Sequence, residues 1–524
     1  MKDYKALQNG SDIRGVAMKT EGGKPVNLTD EAVTDLARGF AEWLRAKYPD
    51  KDPGSFSVAV GRDSRLTGEF LQQVFCTSMA AQGFSVLNCG MATTPAMFMA
   101  TVNDEIAPEG AVMITASHLP SERNGLKFFT RDGGLDKKDI AEIIRIAESE
   151  SATGFFCAPG DDCCCGQPFG EVYEYDLMKF YSTHLKRIIC KGLGAEPGID
   201  KKTGAEVFGK PLAGLKIAVD AGNGAGGFYV SNVLKPLGAD CGGSQFLDPD
   251  GTFPNHIPNP ENKEAMESIC AAVKASGADL GIIFDTDVDR SAAVDEHGRE
   301  IARNRIVALA AALASEGHPG TTIVTDSITS TQLGVFLKEE LGLKHLRFKR
   351  GYKNVINKGL ELNAAGTDCQ LAIETSGHAA MKENYFLDDG AYLATRIVIK
   401  SAQLKAKGLG ISSVLEKLED PLEAKEYRFA IKAENFADYA QTVLDRAQSA
   451  VEKGELPGTS LELPNYEGVR INFDKEHGDG WLLIRKSLHD PVMPMNVESN
   501  IPGGVQRIYD GFLTVLKEYD QLEL

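Results

Sequence analysis

Short β-branched runs that give way to Gly, Asp or Ser constrain this chain more than any other feature. They are Ser57–Val60, Ala111–Ile114, Lys216–Val219, Gly281–Phe284 and Thr322–Thr325. A continuous apolar run this short suits a strand buried on both faces, because a half-exposed strand would alternate. Helical patterns lie between the runs. In Glu31–Lys47, Val33, Leu36, Ala37, Phe40 and Leu44 recur on one face, and Glu264–Ala275 and Ile306–Ala314 read the same way. Strands alternating with helices predict α/β layers.

The pattern restarts along the chain. A strand running into Gly61-Arg62-Asp63 opens one segment, a strand ending at Asp220 a second, and a strand ending at Asp326 a third. Domains run to roughly 100–200 residues, so 524 residues predict three or four of them. The C-terminal stretch differs. Glu426–Ala433 reads as a strand, Phe436–Lys453 as a helix, Gly468–Phe473 and Gly480–Ser487 as a strand pair, and Gly503–Tyr519 as a helix. The expected fold class is therefore α/β: three related mixed α/β domains plus a C-terminal α+β domain. We place them at 1–195, 196–312, 313–420 and 421–524, with linkers in 191–214, near 298–320, and at Leu418–Leu422.

Charge and composition remove several function classes. The formal net charge of −18 argues against a broad nucleic-acid surface, which needs clustered Lys and Arg. A pocket can still be locally positive on an acidic protein. No apolar run approaches the roughly 20 residues that span a bilayer. Met1–Gly15 is polar and lacks the apolar stretch of a secretory leader, so a cytoplasmic location and no membrane partner are expected. Of the ten cysteines, Cys163, Cys164 and Cys165 are consecutive, unlike the spaced pairs of a zinc site, and are read as free thiols.

The chemistry concentrates in four loops. Asp285-Thr286-Asp287-Val288-Asp289-Arg290 sets three carboxylates at alternate positions after an apolar strand. Such a density of hard oxygen ligands suits Mg²⁺ or Ca²⁺, since uncompensated acids would repel. An EF-hand is rejected: Arg290 stands where that loop needs glycine, and a strand precedes it rather than a helix. Thr115-Ala116-Ser117-His118-Leu119-Pro120 puts a hydroxyl just past another apolar strand, and Asn124-Gly125-Leu126-Lys127 follows. Taken alone, Ser-His is ordinary polar loop chemistry. Paired with a separate Mg²⁺ loop, Ser117 becomes a candidate phosphoryl carrier.

Glu374-Thr375-Ser376-Gly377-His378 offers a carboxylate, a hydroxyl and an imidazole on one turn, suited to sugar hydroxyls and proton transfer, although a helix cap with a core histidine reads equally well. Arg485-Lys486-Ser487-Leu488-His489-Asp490-Pro491 could grip a phosphate through Arg485, Ser487 and His489. Arg14, Arg62, Arg65 and Lys353 sit on Gly/Asp-rich loops and, one at a time, read as surface charge.

In this order the motifs resemble the α-D-phosphohexomutase superfamily, which includes phosphoglucomutase, phosphomannomutase and phosphoglucosamine mutase. The resemblance spans nearly the whole chain. It implies four domains around a deep central cleft. It makes Ser117 the phosphorylated residue, with Asp285, Asp287 and Asp289 holding Mg²⁺ together with a phosphoserine oxygen and Arg290 near the transferred phosphate. Lys127 and His378 match positions of proton transfer, and Glu374 and Ser376 the pair that contacts sugar hydroxyls. Arg485 and Ser487 match the loop holding the other phosphate, and Arg14 and Lys353 further cleft positions. Asn223–Gly227 and Asn255–Glu261 match segments read as mainly structural.

The implied reaction interconverts hexose 1-phosphate and hexose 6-phosphate, of glucose or mannose, through a hexose 1,6-bisphosphate. The usual phosphate loop reads Arg-x-Ser-Asn-Thr-Glu-Pro; here Leu488, His489 and Asp490 replace its Asn, Thr and Glu, and Asn496 stands where many relatives place an arginine. That departure leaves three alternatives: a bisphosphate-forming phosphotransferase, a phosphoglucosamine mutase, or a non-catalytic sugar-phosphate binding protein. Oligomeric state is not legible.

Overall fold

A computed structural model describes residues 3–149, 169–202, 204, 206–487 and 490–524. Cys163–Cys165 and His489 lie outside the described residues. The chain packs as two compact units. One runs up to Ala302 and takes in Ser376–Ser413; the other comprises Arg303–Thr375 and Val414–Leu524.

The first unit holds two sheets. In the larger, the strand Ser57–Arg62 pairs in parallel with Ser85–Met91 on one side and Gly110–Ile114 on the other. Gly110–Ile114 then pairs antiparallel with Arg123–Thr130, which carries Asp12–Val16 on its far edge. The helix Asp30–Lys47 forms where its period predicts, capped by Thr29 Oγ1 accepting from the Ala32 N–H at 3.2 Å. Its apolar face, Val33, Leu36, Ala37, Phe40 and Leu44, is fully buried in the core of this sheet. The smaller sheet pairs Ile217–Asp220 in parallel with Leu280–Phe284, which turns back antiparallel as Ser291–Val294. The helix Lys263–Ser276 packs on it. The hairpin turn 285–290 therefore emerges at the C-terminal end of a buried parallel strand, where open α/β sheets bind ligands.

In the second unit, Thr322–Asp326 pairs in parallel with Lys344–Phe348 and Cys369–Ile373. A separate antiparallel sheet runs Thr459–Leu461, Val469–Phe473, Gly480–Ile484, Val492–Ser499, Glu423–Ile431 and Leu522–Glu523. The helices Phe436–Glu452 and Gly504–Leu516 pack on it around Ile471, Leu482, Met495, Ile508 and Phe512. The expected strand pair is two members of a wider sheet, and Gly480–Ile484 stops three residues before the predicted Ser487. Val492–Ser499 went unread because Pro491 and Pro494 break the usual strand signal. Pro494 is tolerated because the structure uses its carbonyl, which accepts from Arg485 N–H at 3.1 Å.

The six described cysteines are free. Among the described residues no helix is long and apolar enough to cross a membrane.

Candidate active site

The fully buried strand Gly110–Ile114 delivers Ser117 in a left-handed conformation, with φ of 50°. A non-glycine residue seldom adopts that geometry without surrounding support. Here the Ser117 N–H donates to Thr115 Oγ1 at 2.8 Å, and Thr115 Oγ1 donates to Asp63 Oδ2 at 2.7 Å. So oriented, Ser117 Oγ donates to Asp285 Oδ2 at 3.0 Å and accepts from Arg290 Nη2 at 3.2 Å. His118 Nδ1 lies 2.6 Å from Arg290 Nη2. Burial, then the positive charges of Arg290 and Arg14, push His118 down to about 2, so it is a neutral ring whose Nδ1 accepts.

Asp285, Asp287 and Asp289 are all buried, and their donor oxygens lie within 4.8 Å of one another. Asp285 Oδ2 also accepts from Arg290 Nε at 3.0 Å. Asp287 Oδ2 accepts from Thr94 Oγ1 at 2.6 Å and from Lys127 Nζ at 2.9 Å, and the same ammonium reaches Asp289 Oδ2 at 2.5 Å. Burial, reinforced by the Asp289 charge, raises Asp285 well above the usual carboxylate range. Burial would raise Asp289 too, but Lys127, His378 and Arg290 outweigh it and hold Asp289 ionised. Asp287 Oδ1 and Asp289 Oδ1 are buried with no hydrogen-bond partner among the described residues. Two orphaned carboxylate oxygens beside a third acid are the donor set a hard divalent cation takes, so the residues fit Mg²⁺.

His378 completes the cluster. Gly377, at φ of 94°, packs where a Cβ would sit 2.6 Å from the Ser291 carbonyl, which brings the 374–378 turn against the acidic hairpin. His378 Nδ1 pairs with Asp388 Oδ2 and stands 3.9 Å from Asp289 Oδ1. Burial opposes its charge, but Asp388 and Asp289 prevail and raise it to about 9.

Known proteins share this arrangement. Models of the phosphoglucomutase/phosphomannomutase family match as alpha/beta/alpha domain I over residues 5–153, domain II over 201–298 and domain III over 302–420. A phosphoglucomutase of Neisseria meningitidis is 30% identical over 515 residues, covering 98% of this chain and 96% of that protein. A phosphoglucomutase/phosphomannomutase of Thermococcus kodakarensis is 31% identical over 483 residues, 92% of each chain. The crystal structure of a family protein from Burkholderia thailandensis superposes with a TM-score of 0.75 at 26% identity, over 97% of this chain and 96% of that one. The chain belongs to the phosphoglucomutase/phosphomannomutase family.

In this phosphohexomutase, Ser117, Lys127, Asp285, Asp287, Asp289, Arg290 and His378 gather within the first unit. Arg14 lies in the same sheet, on Asp12–Val16, and pairs with Asp12 at 2.9 Å. Ser376 is buried there, its Oγ without a partner among the described residues. The second unit holds the others. Glu374 Oε1 accepts from the Gly351 N–H at 2.7 Å, at the start of the helix Tyr352–Ala364 that carries Lys353. Arg485 follows Gly480–Ile484; burial, then repulsion from Arg350, lowers its pKa. Two guanidiniums near enough to repel make a ready phosphate site. The Ser487 N–H donates to the Val492 carbonyl at 3.1 Å.

Sequence reading missed several residues of the phosphohexomutase site. Asp388, the partner of His378, carries no local signal. Asn259, within a segment read as structural, accepts from Arg290 Nη1 at 3.2 Å. Arg65, read as surface charge, is only 1% exposed and donates to the Ser117 carbonyl.

Proposed function

We propose that this enzyme interconverts hexose 1-phosphate and hexose 6-phosphate, with glucose and mannose as its sugars. It does so by carrying a phosphoryl group on Ser117 through a hexose 1,6-bisphosphate. The observation that carries the reading is Ser117 Oγ, hydrogen-bonded to both Asp285 and Arg290 at the rim of the acidic cluster.

In the forward half, the free hydroxyl of the bound hexose phosphate attacks the phosphoserine phosphorus. The bond from phosphorus to the sugar oxygen forms as the bond to Ser117 Oγ breaks, and the hydroxyl proton passes to a base. His378 and Lys127 are the groups we assign to proton transfer, and Arg290 and Arg14 hold the phosphoryl oxygens. Mg²⁺ bound by Asp285, Asp287 and Asp289 would neutralise charge on the group in transit and on Ser117 Oγ. In the return half, the bisphosphate presents its other end. Its second phosphoryl moves to Ser117 Oγ, and the departing sugar oxygen takes the proton back. Glu374 and Ser376 are assigned to the sugar hydroxyls, and Arg485, Ser487 and Lys353 to the phosphate at rest, with His489 assigned there from sequence alone. The division at 1–195, 196–312, 313–420 and 421–524 gives each domain one of these tasks in a cytoplasmic enzyme.

The test joins intact mass to a coupled assay with glucose 1-phosphate and mannose 1-phosphate, primed with glucose 1,6-bisphosphate. Wild type should gain one phosphate and turn over both sugars. Ser117→Ala should gain none and lose at least about a thousandfold in kcat. An alanine variant that turns over like wild type would end the reading.

A further inference from the structure

The backbone of the Ser117 loop is held by one buried ion pair. Arg65 Nη1 donates to the carbonyls of Pro120 at 2.8 Å and Arg123 at 2.9 Å. Its Nη2 donates to the carbonyls of Leu119, at 2.6 Å, and Ser117. Nε lies 3.3 Å from Asp63 Oδ2. A guanidinium has five N–H groups in a planar fork, and here each faces an oxygen. The same Asp63 Oδ2 accepts from Thr115 Oγ1, which accepts from the Ser117 N–H. The pair thus grips Ser117 at both sides of its backbone, Arg65 taking the C=O and Asp63, through Thr115, the N–H. The outer face of the guanidinium is closed by Phe253, whose ring centroid is 5.4 Å from Arg65 Cζ. Behind it, Gly251 packs so tightly that a Cβ there would lie 2.5 Å from Leu66 N and Ser64 O.

We infer that Arg65 and Asp63 are positioning residues for phosphoryl transfer, fixing Ser117 in the left-handed conformation that aims Oγ at Asp285 and Arg290. The inference rests on the phosphoryl-carrying role proposed for Ser117. Left-handed backbone at a serine costs about 1 kcal/mol or more, so a released loop would relax and swing the hydroxyl away. A displacement of about 1 Å in a reacting group can cost a hundredfold in rate. Lysine cannot substitute, because three tetrahedrally disposed N–H groups cannot meet four carbonyls and a carboxylate.

Arg65→Lys and Thr115→Val, each in the full chain, test this. The readouts are thermal melting, amide exchange of the 115–126 peptide, kcat and KM for glucose 1-phosphate, and the rate of phosphate uptake from glucose 1,6-bisphosphate. In Arg65→Lys, kcat and uptake should fall about a hundredfold while KM stays within about threefold, and faster exchange should be confined to 115–126. Thr115→Val should lose about tenfold in kcat with the same signature. The inference is overturned if Arg65→Lys keeps kcat within about threefold of wild type, if KM moves instead of kcat, or if exchange rises throughout the first sheet. Should Arg65→Lys fail to fold, Thr115→Val decides by the same criteria. If wild type takes up no phosphate, the role of Ser117 falls, and with it the positioning role; exchange at 115–126 then reports only whether the grip itself exists.

Discussion

Asp63 and Asp326 close corresponding strands in two of the α/β repeats, and the chain uses them differently. Each is fully buried, each accepts from a threonine that follows the parallel neighbouring strand, and each faces an arginine. Thr115 Oγ1 donates to Asp63 at 2.7 Å and Thr375 Oγ1 to Asp326 at 2.9 Å, while Arg65 and Arg350 approach at 3.3 and 3.5 Å. There the likeness ends. Arg65 is spent wholly on the chain's own carbonyls. The Arg350 side chain is 27% exposed, and its backbone N–H is held from the C-terminal domain by Glu467 Oε2 at 3.2 Å. A serine attacked along one line needs an immobile backbone, whereas a loop that must meet a sugar phosphate in two orientations needs an arginine head that can adjust.

The largest effect should separate the two aspartates. Asp63→Ala strands the buried Arg65 charge and should cost about 3–5 kcal/mol, against about 1–3 kcal/mol for Asp326→Ala, whose arginine can reach water. Denaturant unfolding of the two variants measures the difference, and equal losses would dissolve the contrast.

Metal removal comes next. Chelation should stop turnover, and restoring Mg²⁺ at about a hundred times its dissociation constant should stabilise the first unit by about 2.7 kcal/mol. Asp287→Asn should abolish that gain in melting temperature; a gain that survives would place the cation elsewhere.

A smaller effect lies in pH. Glu498 receives Trp481 Nε1–H at 2.9 Å, and burial raises its pKa from 4.5 to about 7 against the pull of Arg470. The folded state keeps this proton longer than the unfolded chain, so the stability it contributes is present below about 4.5 and is lost as pH rises through 7. Glu498→Gln, neutral throughout, should therefore gain about 2 kcal/mol on wild type between pH 5 and pH 8. Melting curves at the two pH values check it, and a constant offset would show that Glu498 stays ionised.

The smallest change is expected for Arg350→Lys. It should raise KM for glucose 1-phosphate a few-fold, under about 1 kcal/mol, and leave kcat near wild type. Steady-state kinetics beside Arg65→Lys would then show opposite signatures; a fall in kcat alone would make the two arginines alike.

Much of this was legible in the primary structure wherever a local pattern suffices. The helix Asp30–Lys47 and the core strands follow from apolar periodicity, since burial of a face is written at i, i+3, i+4 or in a continuous short run. The acidic triplet and the serine loop stand out because their chemistry is concentrated in a few consecutive positions. Val492–Ser499 escaped because prolines mask a strand whose partners satisfy the missing donor.

What the sequence by itself determined is the repeat of strand and helix and the inventory of reactive groups, both properties of neighbours in the chain. It did not decide which charges are buried. Arg62 and Arg65 stand in one pentapeptide, yet the Arg62 side chain lies beside the exposed Glu69 while Arg65 closes on the carbonyls of residues 117–123. Only the tertiary fold made that choice, because the energy of a buried guanidinium depends on oxygens supplied from distant chain segments and on the exclusion of water around them.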